Sequence, residues 1–115
     1  MRLERAVLDD QTQEVRVTGE VDVATGPRLG FVLGEALADG AVLVDLRACG
    51  YIDSMGIGAL VRAARRERQG RMAVVCAPAG AVRKVIDAVG LENLVPVLES
   101  RDAAIEALVA ARRVD

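Results

Sequence analysis

The stretch AVLVDLRACGYIDSMGIGALVRAARR, residues 41–66, decides the fold. Its first six residues, Ala41 to Leu46, are nearly all apolar, as a central strand buried on both faces requires. Tyr51-Ile52-Asp53 closes the extended region, and a helix begins at Ser54. Ile57, Leu60, Val61 and Ala64 recur at helical spacing and mark a buried stripe, while Arg62, Arg65 and Arg66 fall together on the other side, as a solvated basic face or as part of a partner contact. This is one strand–helix unit.

The same alternation extends in both directions. Upstream, Leu3 to Leu8 and Glu14 to Thr18 read as strands, and the polar DDQTQ between them suits a hairpin turn. A helix starts near Pro27, whose fixed φ and missing N–H suit the first helical position, with Thr25 or Gly26 as cap. Its core face is Leu29, Val32, Leu33, Ala36 and Leu37. Gly26, Gly30 and Gly34 recur on another face, although each interior glycine costs about 1 kcal/mol relative to alanine. They are tolerated drift or mark close approach of another backbone, and they suit a homodimer contact as well as an intramolecular one. Downstream, Met72 to Ala77 reads as a strand, and Val82, Val85, Ile86 and Val89 give a further helix. Gly90 followed by Leu91 fits a helix C-cap with its hydrophobic contact. Leu94 to Leu98 is a last short strand, where Pro96 favours a sheet edge, and Ser100 caps a final helix with Ile105, Leu108 and Val109 on its apolar side. The expected architecture is a single α/β domain over residues 1–115: a mixed β-sheet with an N-terminal hairpin, packed against about four α-helices.

Composition excludes several functions. At 115 residues the chain fits one domain, with neither repeats nor a linker. Its 15 basic and 17 acidic residues give a net charge of -2, and aromatic residues are only 2% of the chain. That leaves neither a general attraction for phosphate backbones nor platforms for base stacking, so no nucleic-acid partner is expected. Cys49 and Cys76 sit among apolar neighbours and read as free thiols of a reducing compartment. With no histidine and no CxxC pair, an ordinary zinc site lacks its ligands. The charged start MRLERAVLDD does not resemble a signal peptide, and no apolar run approaches the ~20 residues that span a bilayer. A cytoplasmic protein without membrane insertion, metal or cofactor is expected.

Catalytic patterns fail in specific ways. Ser54 sits at a strand-to-helix turn like a hydrolase nucleophile, but position 52 is isoleucine instead of glycine, and no histidine can complete a triad. Gly56-Ile57-Gly58 opens a dinucleotide fingerprint that Val61 then breaks. A phosphoaspartate receiver would need Asp9 and Asp10 at a strand-to-helix switch point, whereas they lie in the hairpin turn. No catalytic residue is assigned, and no enzymatic activity is expected.

Asp53-Ser54 at the helix start remains. Both residue types favour N-caps, which alone accounts for their presence. The same geometry also suits a regulated site: unpaired amides and the positive end of the helix dipole accept phosphate, and phosphorylation adds about -1.5 to -2 charges beside Asp53 and close to Asp22. Small residues at 56 and 58 would let a kinase approach the hydroxyl.

The segments VTGEVDVATGPRL (17–29), VLVDLRACGYIDSMGIGAL (42–60) and MAVVCAPAGAVRKVIDAVGLENLVPV (72–97) together closely resemble anti-sigma factor antagonists of the STAS domain family, over essentially the whole chain. The resemblance implies a partner-switching regulator of transcription. Unphosphorylated, such a protein binds an anti-sigma factor, often a serine kinase, and so frees a sigma factor. The kinase phosphorylates the serine after the motif aspartate, and a PP2C-type phosphatase reverses this. Carried over, the phosphoacceptor is Ser54, and the partner-binding residues are Asp22, Asp53, Ser54, Met55 and Gly56. Position 55 is usually serine or threonine in these antagonists, so Met55 is a departure that sets a flexible apolar side chain beside the acceptor. The competing readings are a constitutive STAS scaffold in a signalling or transport complex, and a small nucleotide- or ligand-binding module using the helix N-terminus as an anion site.

Overall fold

The computed structural model describes residues 1–66 and 71–112. The elements run β1 (Arg2–Asp9), β2 (Thr12–Val21), α1 (Gly26–Asp39), β3 (Ala41–Ile52), α2 (Ser54–Arg66), β4 (Met72–Val75), α3 (Ala81–Ala88), β5 (Val97–Leu98) and α4 (Arg101–Arg112), with a short 3₁₀ turn at Leu91–Asn93 before β5. The five strands lie in one sheet in sequence order. β1 and β2 form the expected antiparallel hairpin, and every later neighbour is parallel. The mixed α/β architecture with four helices is therefore as read from the sequence.

Each crossover steps one strand further in the same direction, and right-handed connections then put α1, α2 and α3 on one face of the sheet. The core between them holds Val15, Val17 and Val21 of β2 with Leu29 and Leu33 of α1 and Leu60 of α2. The opposite face is covered by α4, whose Ala104 and Leu108 pack on Leu43, Ala73 and Val75. Strands β3 and β4 are thus buried on both sides, the reason Ala41 to Leu46 carries so little polarity.

The structure corrects three boundaries. β2 does not end at Thr18 but runs on to Val21, whereas β3 closes at Ile52, where the sequence places the end of the extended region. Its register against β2 slips between Arg16 and Thr18 and again between Gly19 and Glu20, so two bulges hide the alternation. Val42, Val44, Leu46, Cys49 and Ile52 all reach the same core, and the steps of three between the last of them are where the bulges sit. β4 stops at Val75, and β5 is reduced to Val97–Leu98 because the 3₁₀ turn uses Leu91–Asn93 and Pro96 precedes the strand. Gly90 is left-handed at φ 67°, with Leu91 fully buried behind it, as a helix stop of this kind requires.

The glycines of α1 are not equivalent. A Cβ on Gly26 would meet Met55 Cβ at 3.0 Å and the backbone nitrogen of Gly56 at 3.2 Å, so the first turns of α1 and α2 touch there. At Gly30 and Gly34 the nearest atoms would be at 3.5 and 3.6 Å, ordinary contact distances. Close backbone approach is real at Gly26 alone among these three.

Candidate functional site

The site lies where β2 and β3 end side by side. Val21 pairs with Ile52, and the Asp53 amide donates to the Val21 carbonyl at 3.0 Å, which draws Asp22 and Asp53 to the same rim of the sheet. Residues remote in sequence are thus joined by parallel strand pairing.

Asp53 is the N-cap of α2. Its Oδ1 accepts hydrogen bonds from the amides of Met55 at 2.9 Å and Gly56 at 3.2 Å, and its carbonyl accepts the first helical bond from Ile57 at 2.9 Å. Ser54 therefore occupies the first helical position and is exposed, and among the described residues its hydroxyl makes no hydrogen bond. This corrects the expectation of unpaired amides at the helix start: the Asp53 carboxylate already takes two of them.

Asp22 organises the β2–α1 turn. Its Oδ1 accepts from the Ala24 amide at 3.0 Å, the Thr25 amide at 3.1 Å and the Thr25 hydroxyl at 3.0 Å, while its own amide donates to Thr25 Oγ1 at 2.9 Å. The Thr25 hydroxyl, first among these donors, holds the Asp22 carboxyl below the usual carboxylate range. Thr25 has its hydroxyl turned back toward Asp22 and makes no side-chain cap to α1.

Gly56 is buried under the first turn of α2. A Cβ there would fall 2.6 Å from Val21 Cγ1 and 2.7 Å from Ile52 Cγ1, so its small size serves the descent of the helix onto the sheet. Access to the hydroxyl is open for a different reason: Ser54 and Met55 both project outward.

The segments that carry Asp22 and Ser54 expose more apolar side chains than the sequence reading anticipated. Val23 is 69% exposed in the β2–α1 turn, Met55 is 40% exposed and Tyr51 is 47% exposed. Val23 escaped that reading because it lies outside any periodic element; its place directly after Asp22 was the available signal.

The sequence reading also missed an ionic cluster on the other face of the sheet. Glu14 and Asp45 are buried, and Glu14 pairs with Arg101 at 2.6 Å and Arg16 at 3.2 Å, while Asp45 pairs with Arg47 at 2.8 Å. Burial pushes the Asp45 carboxyl up, but the Arg47 hydrogen bonds and charge outweigh it, and the net displacement is downward. The cluster ties α4 to the sheet and lies apart from Ser54.

Among the described residues no group of histidine, cysteine or carboxylate side chains could hold a metal, and no helix is long and apolar enough to cross a membrane. Cys49 and Cys76 are free, buried thiols.

Comparison with known proteins places this geometry. A family model described as Mlab, STAS domain, matches residues 5–96. No curated protein matches the chain. Among solved structures, an anti-sigma factor antagonist from Mycobacterium paratuberculosis superposes with a TM-score of 0.81 at 28% identity, over 94% of this chain and 95% of that one. The anti-sigma factor antagonist SpoIIAA in its unphosphorylated form gives 0.76 at 20% identity, over 95% and 97% of the two chains. The phosphorylated form of SpoIIAA from Bacillus gives 0.66 at 18% identity, over 91% and 97%. At the identities of the last two the likeness is one of fold. The family match spans the hairpin, both rim aspartates, Ser54 and the sheet through Pro96, and the chain belongs to the STAS domain family.

Proposed function

We propose that this protein is a non-enzymatic, cytoplasmic anti-sigma factor antagonist that switches partners through the phosphorylation of Ser54. The observation that carries the reading is the division of labour at the start of α2. Asp53 supplies the cap, so Ser54 holds an exposed hydroxyl that the fold does not use. The partner is an anti-sigma factor of the serine-kinase type, and a PP2C-type phosphatase resets the switch.

Met55, next to Ser54, and Val23, next to Asp22, are exposed apolar side chains that suit burial against a protein. Asp22, held by Thr25, and Asp53, held by the helix amides, give this surface a fixed acidic rim. In the phosphorylation step Ser54 Oγ attacks the γ-phosphorus of ATP bound to the kinase. The Oγ–P bond forms, the bond to ADP breaks, and the serine proton passes to a base of the kinase. The product carries about -1.5 to -2 charges at neutral pH next to Asp53 and on the same rim as Asp22. Because the Asp53 carboxylate already occupies the Met55 and Gly56 amides, the helix start offers the phosphate little compensation, and the new charge acts on the partner. Release follows from desolvating an unpaired charge at an interface. The same occupancy counts against the nucleotide- or ligand-binding module, which would need that anion seat vacant.

The test is a paired capture with Ser54→Ala and Ser54→Asp baits. A kinase-type anti-sigma factor should be held by the alanine bait and bind the aspartate bait more weakly by about 2–4 kcal/mol. Equal recovery by both baits would replace this reading with a constitutive scaffold. Titration with ATP and GTP, expected to show no binding, checks the ligand module.

A further inference from the structure

A groove of about 490 Å³ runs along the outer surface between α1 and α2, away from the sheet. Its floor is made of small residues, Gly30 and Gly34 of α1 with Ala59 and Ala63 of α2. Phe31 stands on one wall, 67% exposed although it is the only phenylalanine of the chain. Arg62 and Arg66 form the other wall. The groove begins one helical turn beyond the Gly26–Met55 contact, at Gly30 and Ala59, on the helix that starts at Ser54.

Among the described residues the charge lining the groove is unbalanced. The one acidic residue there, Glu35, lies 3.8 Å from Arg5 Nη1 and is answered within the chain. Arg62 and Arg66 have no carboxylate within ion-pairing distance among the described residues. They are one helical turn apart, separated by about 6 Å along α2. Two cations at that spacing over an apolar floor match an α-helix with carboxylates at i and i+4 and small or aliphatic residues beside them. The glycine and alanine floor lets such a helix lie close, and Phe31 offers an aromatic anchor of the kind that dominates interfaces.

We propose that the α1–α2 groove seats an acidic, apolar-faced α-helix of the protein partner, with Phe31 as anchor and Arg62 and Arg66 as its charge readers. The proposal rests on the reading above only in requiring a protein partner; it does not require phosphorylation. It makes the partner footprint bipartite. Ser54 at the start of α2 controls release, and the groove, extending about 10 Å along α2 from Ala59 to Arg66, selects which partner binds.

The test places p-benzoyl-phenylalanine at position 31 of the full chain carrying Ser54→Ala, irradiates it in native lysate and maps the crosslinked peptide by mass spectrometry. The expected peptide belongs to one protein and carries carboxylates three or four residues apart among apolar ones. The purified crosslinked protein should then bind the Arg62→Glu/Arg66→Glu variant at least tenfold more weakly than the parent, with the loss shrinking at high salt. A Gly30→Leu variant, which fills the groove, should weaken binding comparably; the exposed arginine pair keeps the test decisive if that variant folds poorly. A crosslink to a second copy of this chain, a peptide without acidic residues, no crosslink, or unchanged affinity of the arginine variant would each overturn the proposal. Failure of the switch reads differently: Ser54→Ala and Ser54→Asp would then bind alike while the arginine variant still loses affinity.

Discussion

Alanine substitution at the helical glycines should move stability in opposite directions, depending on what each glycine faces. At Gly30 and Gly34 a new Cβ would sit 3.5 Å from Ala59 Cβ and 3.6 Å from Arg66 Nη2, ordinary contact distances. Each change therefore collects the helix-propensity difference of about 0.8–1 kcal/mol without a steric cost. At Gly56 the Cβ would lie 2.6 Å from Val21 Cγ1 and 2.7 Å from Ile52 Cγ1. Val21 is 0% and Ile52 2% exposed, so neither can swing aside without displacing the core. Overpacking of this kind costs about 1–3 kcal/mol, and the propensity gain in a first turn is smaller than in a helix interior. The net for Gly56→Ala is a loss of about 1–2 kcal/mol. At about 4 °C per kcal/mol for a domain of this size, the Gly30→Ala/Gly34→Ala variant should melt roughly 6–8 °C higher and Gly56→Ala roughly 4–8 °C lower. Thermal melts followed by circular dichroism, with urea unfolding to check that m is unchanged, measure both. A Gly56→Ala protein as stable as the parent, or a less stable double variant, would refute the assignment of Gly56 to the seating of α2 and of Gly30 and Gly34 to a groove with room for a Cβ.

Asp53→Ala removes the cap from the Met55 and Gly56 amides and should cost about 1 kcal/mol in urea unfolding, whereas Ser54→Ala should leave stability within about 0.5 kcal/mol. If the two effects were reversed, Ser54 would be the cap after all. Acidification should destabilise the fold through Asp45, whose carboxyl lies below its ordinary 3.8 because the Arg47 hydrogen bonds and charge outweigh the upward push of burial. A depressed native pKa means this contribution is complete above about pH 4 and fades as pH falls through the lower native value. Asp45→Asn should flatten that part of the profile, and an unaltered acid limb would refute the assignment. Burial, the leading cause for both, raises the thiol pKa of Cys49 and Cys76, so the native protein should react slowly with a thiol reagent at pH 8 and rapidly once unfolded. Rapid labelling of the native state would contradict their burial.

Much of this protein is legible in local pattern. Val82, Val85, Ile86 and Val89 announce a helix, Ala41 to Leu46 a doubly buried strand, and their order dictates parallel pairing because each crossover helix returns the chain in the same direction. The close of β3 before Ser54 was legible, but its bulged path between Leu46 and Ile52 was not. Its bulges space core residues by three, a period that belongs to neither strand nor helix. Asp53 and Ser54 at a strand-to-helix turn could be found from sequence, but not which of them caps, since both residue types serve.

Tertiary structure settles that question through one contact: the Asp53 amide is tied to the Val21 carbonyl of the neighbouring strand, which leaves its carboxylate over the helix amides and pushes Ser54 out to solvent. It likewise brings Asp22 to the same rim, sets Glu14 against Arg101 from the far end of the chain, and opens the groove beside Phe31. Sequence alone determined which segments become strands and helices, because hydrophobic periodicity and turn chemistry act over a few residues. Which side chains meet across those segments depended on strand register and helix packing, and these are properties of the assembled sheet.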